Sequence, residues 1–215
     1  MKTLVLVDLQ NDFLPGGALP VAEGDHVIPL ANRLQPLFDL VVATQDWHPA
    51  DHGSFAAQHP GKKPGQMVQL NGLPQVLWPT HCVQGTPGAA FAPGLNTRRI
   101  SKVFPKGTDP QIDSYSGFFD NGHRKATGLG DYLKSGKTTA LYLLGLATDY
   151  CVKATALDAR SLGFETYLIT DACRGVNLQP GDVDRALAEM QAAGVGLVMS
   201  GSFLESGKSG DGVRG

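Results

Sequence analysis

Short apolar runs alternate with longer, mixed stretches along this chain, and that alternation predicts its architecture. The runs are Thr3–Leu9, Leu40–Thr44, Ile100–Phe104, Thr139–Leu146, Glu165–Thr170 and Val195–Met199. Each has the length of a strand and is too short for a buried helix. Between them lie segments of helical spacing. Asp25 to Phe38 places Val27, Leu30, Ala31, Leu34, Leu37 and Phe38 on one face, with Pro29 in the first turn and Pro36 marking an early end. A short helix is predicted around Leu129–Lys134, and another over Asp182–Ala193, ended by Gly194. The stretch Leu141 to Gly163 organises the rest. Ala140–Leu146, interrupted only by Gly145, suits a strand buried on both faces; Thr148 or Asp149 is placed to cap the next helix and Gly163 to stop it. Strands alternating with helices at this spacing imply βαβ units. The predicted fold is a three-layer α/β domain: a mostly parallel six-stranded sheet with helices on both faces. Right-handed crossovers then bring every strand's carboxyl end to one edge, where such sheets bind ligands.

Residues 47–99 break the alternation. They are rich in Gly, Pro, His and Gln, and a connection of that length in a compact domain is usually functional. We therefore expect one domain over residues 1–204 carrying a loop insertion at about 47–99, followed by a tail, 205–215, of disordered composition. Of the 215 residues, 42% are hydrophobic and 18% charged, as in a globular protein. A net charge of −2 without a basic cluster argues against nucleic acid as a partner, and no run is long enough for a membrane span. The N-terminal MKTLVLVDLQNDF has one lysine and an apolar segment, but Asp8 interrupts it and no small-residue cleavage site follows; it reads as a strand. Three cysteines without framework spacing suit a reducing cytoplasm. A homo-oligomer remains open, as do the roles of Cys82 and Cys173.

Three groups of residues carry chemistry. Cys151 falls in the first helical turn beyond the carboxyl end of the fourth strand, where free N–H groups and the positive helix end favour a thiolate, so its pKa is expected to fall. Asp8 and Lys106 are placed at two other strand ends, and a carboxylate with an ammonium could activate the sulfur and protonate a leaving group. The same three could instead be a strand-end acid, a solvated lysine and a packed small hydrophobe. In the second group, Asp46 and His48 alternate and so point the same way in extended chain; His81 could join them from the insertion. One carboxylate and two imidazoles suit one divalent metal ion, zinc first, with iron or manganese as alternatives. His52 is a further candidate ligand, while His59 reads as a loop residue. In the third group, the Ala147 and Cys151 N–H groups flank a tight turn and could meet an oxyanion, given a cis peptide at Ala147–Thr148 to aim them. Phe13, Trp78, Tyr115 and Tyr150 could clamp a flat ring, although each alone is more often packing.

Taken together, the strings VDLQNDF, TQDWHPADHGSF, LWPTHCVQGT, FPKGTDP, DSYSGFFDN, GLATDYCVKATALDA and TDACRGVN resemble those of bacterial nicotinamidases (pyrazinamidases), within the isochorismatase-like cysteine hydrolases, whose fold is Rossmann-like. The resemblance runs from the first strand to about Met199. It implies an amidohydrolase acting on linear amides that converts nicotinamide to nicotinate and ammonia in NAD salvage, and acts on pyrazinamide too. Cys151 would be the nucleophile, forming a thioester, Asp8 the proton acceptor and donor, and Lys106 the cation that holds the pair. Asp46, His48 and His81 would hold the metal, with His52 a ligand in some relatives only. Ala147 and Cys151 would give the oxyanion-hole N–H groups, and Phe13, Trp78, Tyr115 and Tyr150 the substrate pocket. The alternatives are another amidase or an isochorismate-type hydrolase of the same superfamily, which does not need the metal set, and a catalytically silent α/β binding protein.

Overall fold

The computed structural model describes residues 1–205. In chain order its elements are β1 (Lys2–Val7), α1 (Val27–Leu34), β2 (Leu40–Asp46), β3 (Met67–Leu70), β4 (Leu73–Val76), β5 (Lys102–Lys106), α2 (Leu129–Ser135), β6 (Ala140–Leu146), α3 (Lys153–Ser161), β7 (Glu165–Arg174), α4 (Asp182–Ala192), β8 (Gly196–Val198) and α5 (Gly201–Leu204). Six strands form one sheet in the order β5-β2-β1-β6-β7-β8, and every pairing in it is parallel. The order runs outward from β1 in one direction and from β6 in the other, so the topological switch point lies between these two. A crevice opens there at the carboxyl ends of the strands.

The apolar pattern explains the layers. All seven residues of β6 and the last five of β1 are buried, which requires cover on both faces of the sheet. Helix α1 turns Val27, Ile28, Ala31 and Leu34 inward, at the spacing of a single helical stripe. It ends where Pro36 removes an amide donor, and a short 3₁₀ turn, Gln35–Leu37, carries the chain into β2. Gly163 (φ 86°) and Gly194 (φ 84°) follow α3 and α4 in the left-handed conformation that closes helices. No helix among the described residues is long and apolar enough to cross a membrane.

Several expectations need correction. Lys106 is the last residue of β5 rather than the first beyond it, because pairing with β2 continues to Asp46↔Lys106. The long insertion contains an antiparallel hairpin, β3–β4, with Leu70 opposite Leu73; its strands are only half-buried, so they lack the alternation that would have betrayed them. Neither Thr148 nor Asp149 caps the helix after β6. That helix begins as a π-helical turn, Thr148–Val152, and Ala147 stands at its start with no side-chain cap. The cis peptide joins Leu146 to Ala147, one bond earlier than expected, where β6 ends. Residues 206–215 of the expected tail lie outside the described residues.

One glycine is dictated by the sheet itself. Gly145 has φ 133°, and a Cβ there would meet the Val7 carbonyl oxygen at 2.1 Å, across the pairing that aligns β1 with β6. Gly145→Ala should therefore destabilise the protein by about 3 kcal/mol or more, lowering Tm by roughly 6–12 °C. A Tm within about 2 °C of wild type in a thermal melt would show that this close approach is not obligatory.

Candidate active site

Four strand ends build the site. Asp8 follows β1, Asp46 ends β2, Lys106 ends β5, and Cys151 lies in the turn after β6. Strands β1 and β6 are neighbours at the switch point, with β2 and β5 next in order, so residues far apart in the chain meet on one rim. The turn carrying Cys151 is closed by its own backbone: Tyr150 N and Val152 N both donate to the Ala147 carbonyl at 3.1 Å.

The Lys106 ammonium is at the centre and wholly buried. It donates to Asp46 Oδ1 at 2.8 Å, to the Ser114 carbonyl at 3.0 Å and to Cys151 Sγ at 3.4 Å. Those three bonds use all its hydrogens. Asp8 Oδ2 lies 2.9 Å from the same nitrogen yet has no hydrogen-bond partner among the described residues, so this contact is charge against charge. The other carboxylate oxygen is pinned, accepting from Thr44 Oγ1 at 2.6 Å. Asp8 thus keeps one oxygen with free lone pairs beside the thiol.

Burial governs the protonation of this cluster. It raises the Asp8 pKa, and the opposing pull of Lys106 does not cancel it. It also raises Asp46, but His48 and Lys106 outweigh it and hold that carboxyl well below its usual range. The same burial would lower Lys106, but Asp46 and Asp8 keep it charged with a pKa well above normal. For Cys151 burial dominates, with Asp8 and Asp46 adding to it against Lys106, so the thiol is pushed well up. The expected fall is thus corrected: the sulfur is too deeply enclosed, and too near two carboxylates, for the helix end to decide its charge.

Beside this cluster Asp46, His48 and His81 bring one ligand atom each within 4.8 Å of one another, all buried. The imidazoles are turned by carbonyl groups: His48 Nδ1 lies 2.9 Å from Gly107 O and His81 Nδ1 2.7 Å from Pro79 O. A carbonyl can only accept, so both Nδ1 atoms carry hydrogen, and in the neutral rings both Nε2 lone pairs face Asp46 Oδ2, at 3.0 and 3.3 Å. Lone pairs aimed at a carboxylate at that distance call for a cation between them, either a proton on the ring or a metal ion. In the absence of a metal the His48 ring draws a proton: burial lowers its pKa, but Asp46 overcomes this and raises it. Gly107 makes room for this arrangement, since a Cβ there would lie 2.4 Å from His48 Cε1.

His52 belongs to the same neighbourhood with the opposite polarity. Its Nδ1 accepts from Ser54 N at 3.2 Å and pairs with Ser54 Oγ at 2.7 Å, which leaves the proton of a neutral ring on Nε2. That Nε2 is buried without a hydrogen-bond partner among the described residues. The geometry offers it as a donor beside the cage, with Asp113 close by, rather than as a fourth ligand. His59, outside the cage, pairs its Nε2 with the Gly53 carbonyl.

A recess of about 380 Å³, its mouth included, opens above these groups. All four expected aromatic residues, Phe13, Trp78, Tyr115 and Tyr150, line it, together with Ala147, Cys151, Asp46 and His81. Trp78 donates to Tyr115 Oη at 3.0 Å and meets the Tyr150 ring edge-on at 4.8 Å, so the wall is braced. Residues that sequence reasoning missed support it. Gln75, at the end of β4, donates to Asp113 Oδ2 and to Tyr115 Oη, and nothing in its local sequence marks it. Thr44 had a readable signal, as a polar residue in an apolar strand two positions before Asp46 and so on the same face.

Comparison with known proteins agrees with this geometry. The model of the isochorismatase domain matches residues 2–201. A nicotinamidase of Escherichia coli is 54% identical over 209 residues, which cover 95% of this chain and 98% of that protein. A solved nicotinamidase and pyrazinamidase of Acinetobacter baumanii superposes with a TM-score of 0.91 at 48% identity, covering 94% of this chain and 97% of that one. A pyrazinamidase of Pyrococcus horikoshii, solved in complex with zinc, gives 0.75 at 41% identity, with 92% of this chain and 98% of that one covered. The chain belongs to the isochorismatase family, within the group that these nicotinamidases represent.

Proposed function

We propose that this chain hydrolyses nicotinamide, and its ring analogue pyrazinamide, to the carboxylic acid and ammonia through a thioester on Cys151. The observation that carries the reading is the unshared Asp8 oxygen. Lys106 binds the sulfur, Asp46 and a carbonyl with its three hydrogens, which leaves Asp8 Oδ2 available to take the thiol proton. A carboxyl whose pKa burial has raised is a stronger base than an exposed one, and so better matched to a thiol.

Attack then proceeds as proton transfer from Cys151 to Asp8 with the sulfur closing on the carboxamide carbon. Lys106, already 3.4 Å from Sγ, stabilises the developing thiolate. The oxyanion meets the N–H groups of Ala147 and Cys151, each such donor being worth roughly 3–4 kcal/mol of barrier. Asp8 returns its proton to the amine, ammonia leaves, and the acyl group remains as a thioester. Asp8 next takes a proton from a water that attacks the thioester, and the acid departs as the thiol re-forms.

Asp46, His48 and His81 would hold a metal ion, zinc by the chemistry of this donor set, with His52 donating a hydrogen bond beside it. When bound, the ion supplies a Lewis-acid anchor for the ring nitrogen of the substrate. Trp78, Tyr115 and Tyr150 would press on the ring so that its carboxamide lies over the sulfur.

Two outcomes follow. Cys151→Ala should lower ammonia release from nicotinamide at least about 10⁴-fold with Tm changed by only a few degrees; a variant that still turns over rules out the thioester route. Chelation should lower kcat/KM at least about tenfold, chiefly through KM, and added zinc should restore it. Unaltered kinetics in protein shown by elemental analysis to be metal-free would refute the anchoring role.

A further inference from the structure

One buried carboxylate near the nucleophile has no part in the scheme above. Asp149 lies two residues before Cys151, with 6% of its surface exposed. It does not cap the helix that follows. Both oxygens reach another segment: Oδ1 accepts from Val176 N at 2.9 Å and Oδ2 from Asn177 N at 2.8 Å. These amides lie in the connection from β7 to α4, and Val176 is a wall of the substrate recess. A single side chain therefore joins the nucleophile turn to the side of the pocket.

The two ends of this link are unequally held. The turn keeps its shape without the Asp149 side chain, through the bonds of Tyr150 N and Val152 N to Ala147 O and of Thr155 Oγ1 to the Cys151 carbonyl at 2.6 Å. The 175–181 segment is otherwise tied to α4, by Val183 N to Asn177 Oδ1 and Gln179 N to Asp182 Oδ2. Among the described residues only Asp149 hydrogen-bonds it to the turn. Two successive N–H groups need two acceptors, which a carboxylate supplies; an amide would turn its own NH₂ toward one of them.

The geometry points to Asp149 as a positioning residue that holds Val176 against the bound ring, setting substrate affinity and leaving the chemical step largely alone. This rests on the amide hydrolysis proposed above. The test is a double-mutant cycle on metal-loaded enzyme, with kcat and KM for nicotinamide measured for wild type, Asp149→Asn, Val176→Ala and the double variant. Each single change should raise KM about tenfold with kcat within about twofold, as expected for the loss of one charge-assisted hydrogen bond or one packed side chain. The double variant should exceed the worse single by no more than about twofold. A fall in kcat at unchanged KM, KM effects that multiply, or an Asp149→Asn enzyme with wild-type KM would each overturn the assignment. Amide exchange on the wild-type protein tests the clamp without any variant: the Val176 and Asn177 amides should be protected, and free exchange of both would overturn it. Absence of nicotinamide turnover by the wild type is a different result, since it defeats the hydrolysis reading before any variant is compared.

Discussion

A fully buried ammonium is the constraint on which this site depends. Lys106 has no access to water, and a desolvated cation persists only if its neighbours replace the hydration it lost. Here the replacement is two carboxylates, a carbonyl and a sulfur, drawn from four strand ends. Removing any one leaves charge without a partner in an apolar surround. The group is therefore coupled, and each member's protonation is set by the others more than by its own chemistry.

That coupling divides the labour between the two carboxylates. Asp46 faces Lys106 with one oxygen and two imidazoles with the other, and these hold it ionised. Asp8 faces the same lysine but receives a hydrogen bond on one oxygen only, so burial leaves it the better base. Two aspartates of identical chemistry are separated into a cation holder and a proton carrier by the hydrogen bonds around them. The resting thiol follows from the same enclosure. Cys151 need not be a thiolate in the empty recess when an acceptor stands beside it.

The histidines repeat the point on a smaller scale. His48, His52 and His81 lie within one insertion, yet a carbonyl at Nδ1 makes two of them lone-pair donors through Nε2, while a serine amide at Nδ1 makes the third a hydrogen-bond donor. Residue type nominated all three. Only the neighbour of the far ring nitrogen sorted them, and that neighbour comes from Gly107, Pro79 or Ser54.

Much was legible in the chain because sheet topology is written in local patterns. Six apolar runs, their spacing and the handedness of crossovers determine a parallel sheet, and with it the convergence of Asp8, Asp46, Lys106 and Cys151 on one rim. The Asp46–His48 pair was readable from strand alternation, and the recess aromatics from the motifs around them. Other features were not, because they depend on contacts between distant segments. The β3–β4 hairpin is half-buried and carries no clear period. Gln75 braces Tyr115 from that hairpin, and Asp149 reaches across to Val176 instead of capping its own helix. The charge state of Cys151 was misjudged from the sequence, since a helix terminus is a local feature and burial is not. Sequence alone determined which groups meet, through periodicity and connectivity; tertiary structure alone decided their protonation and aim, because those follow from the solvent excluded and the hydrogen bonds completed once the chain has closed around them.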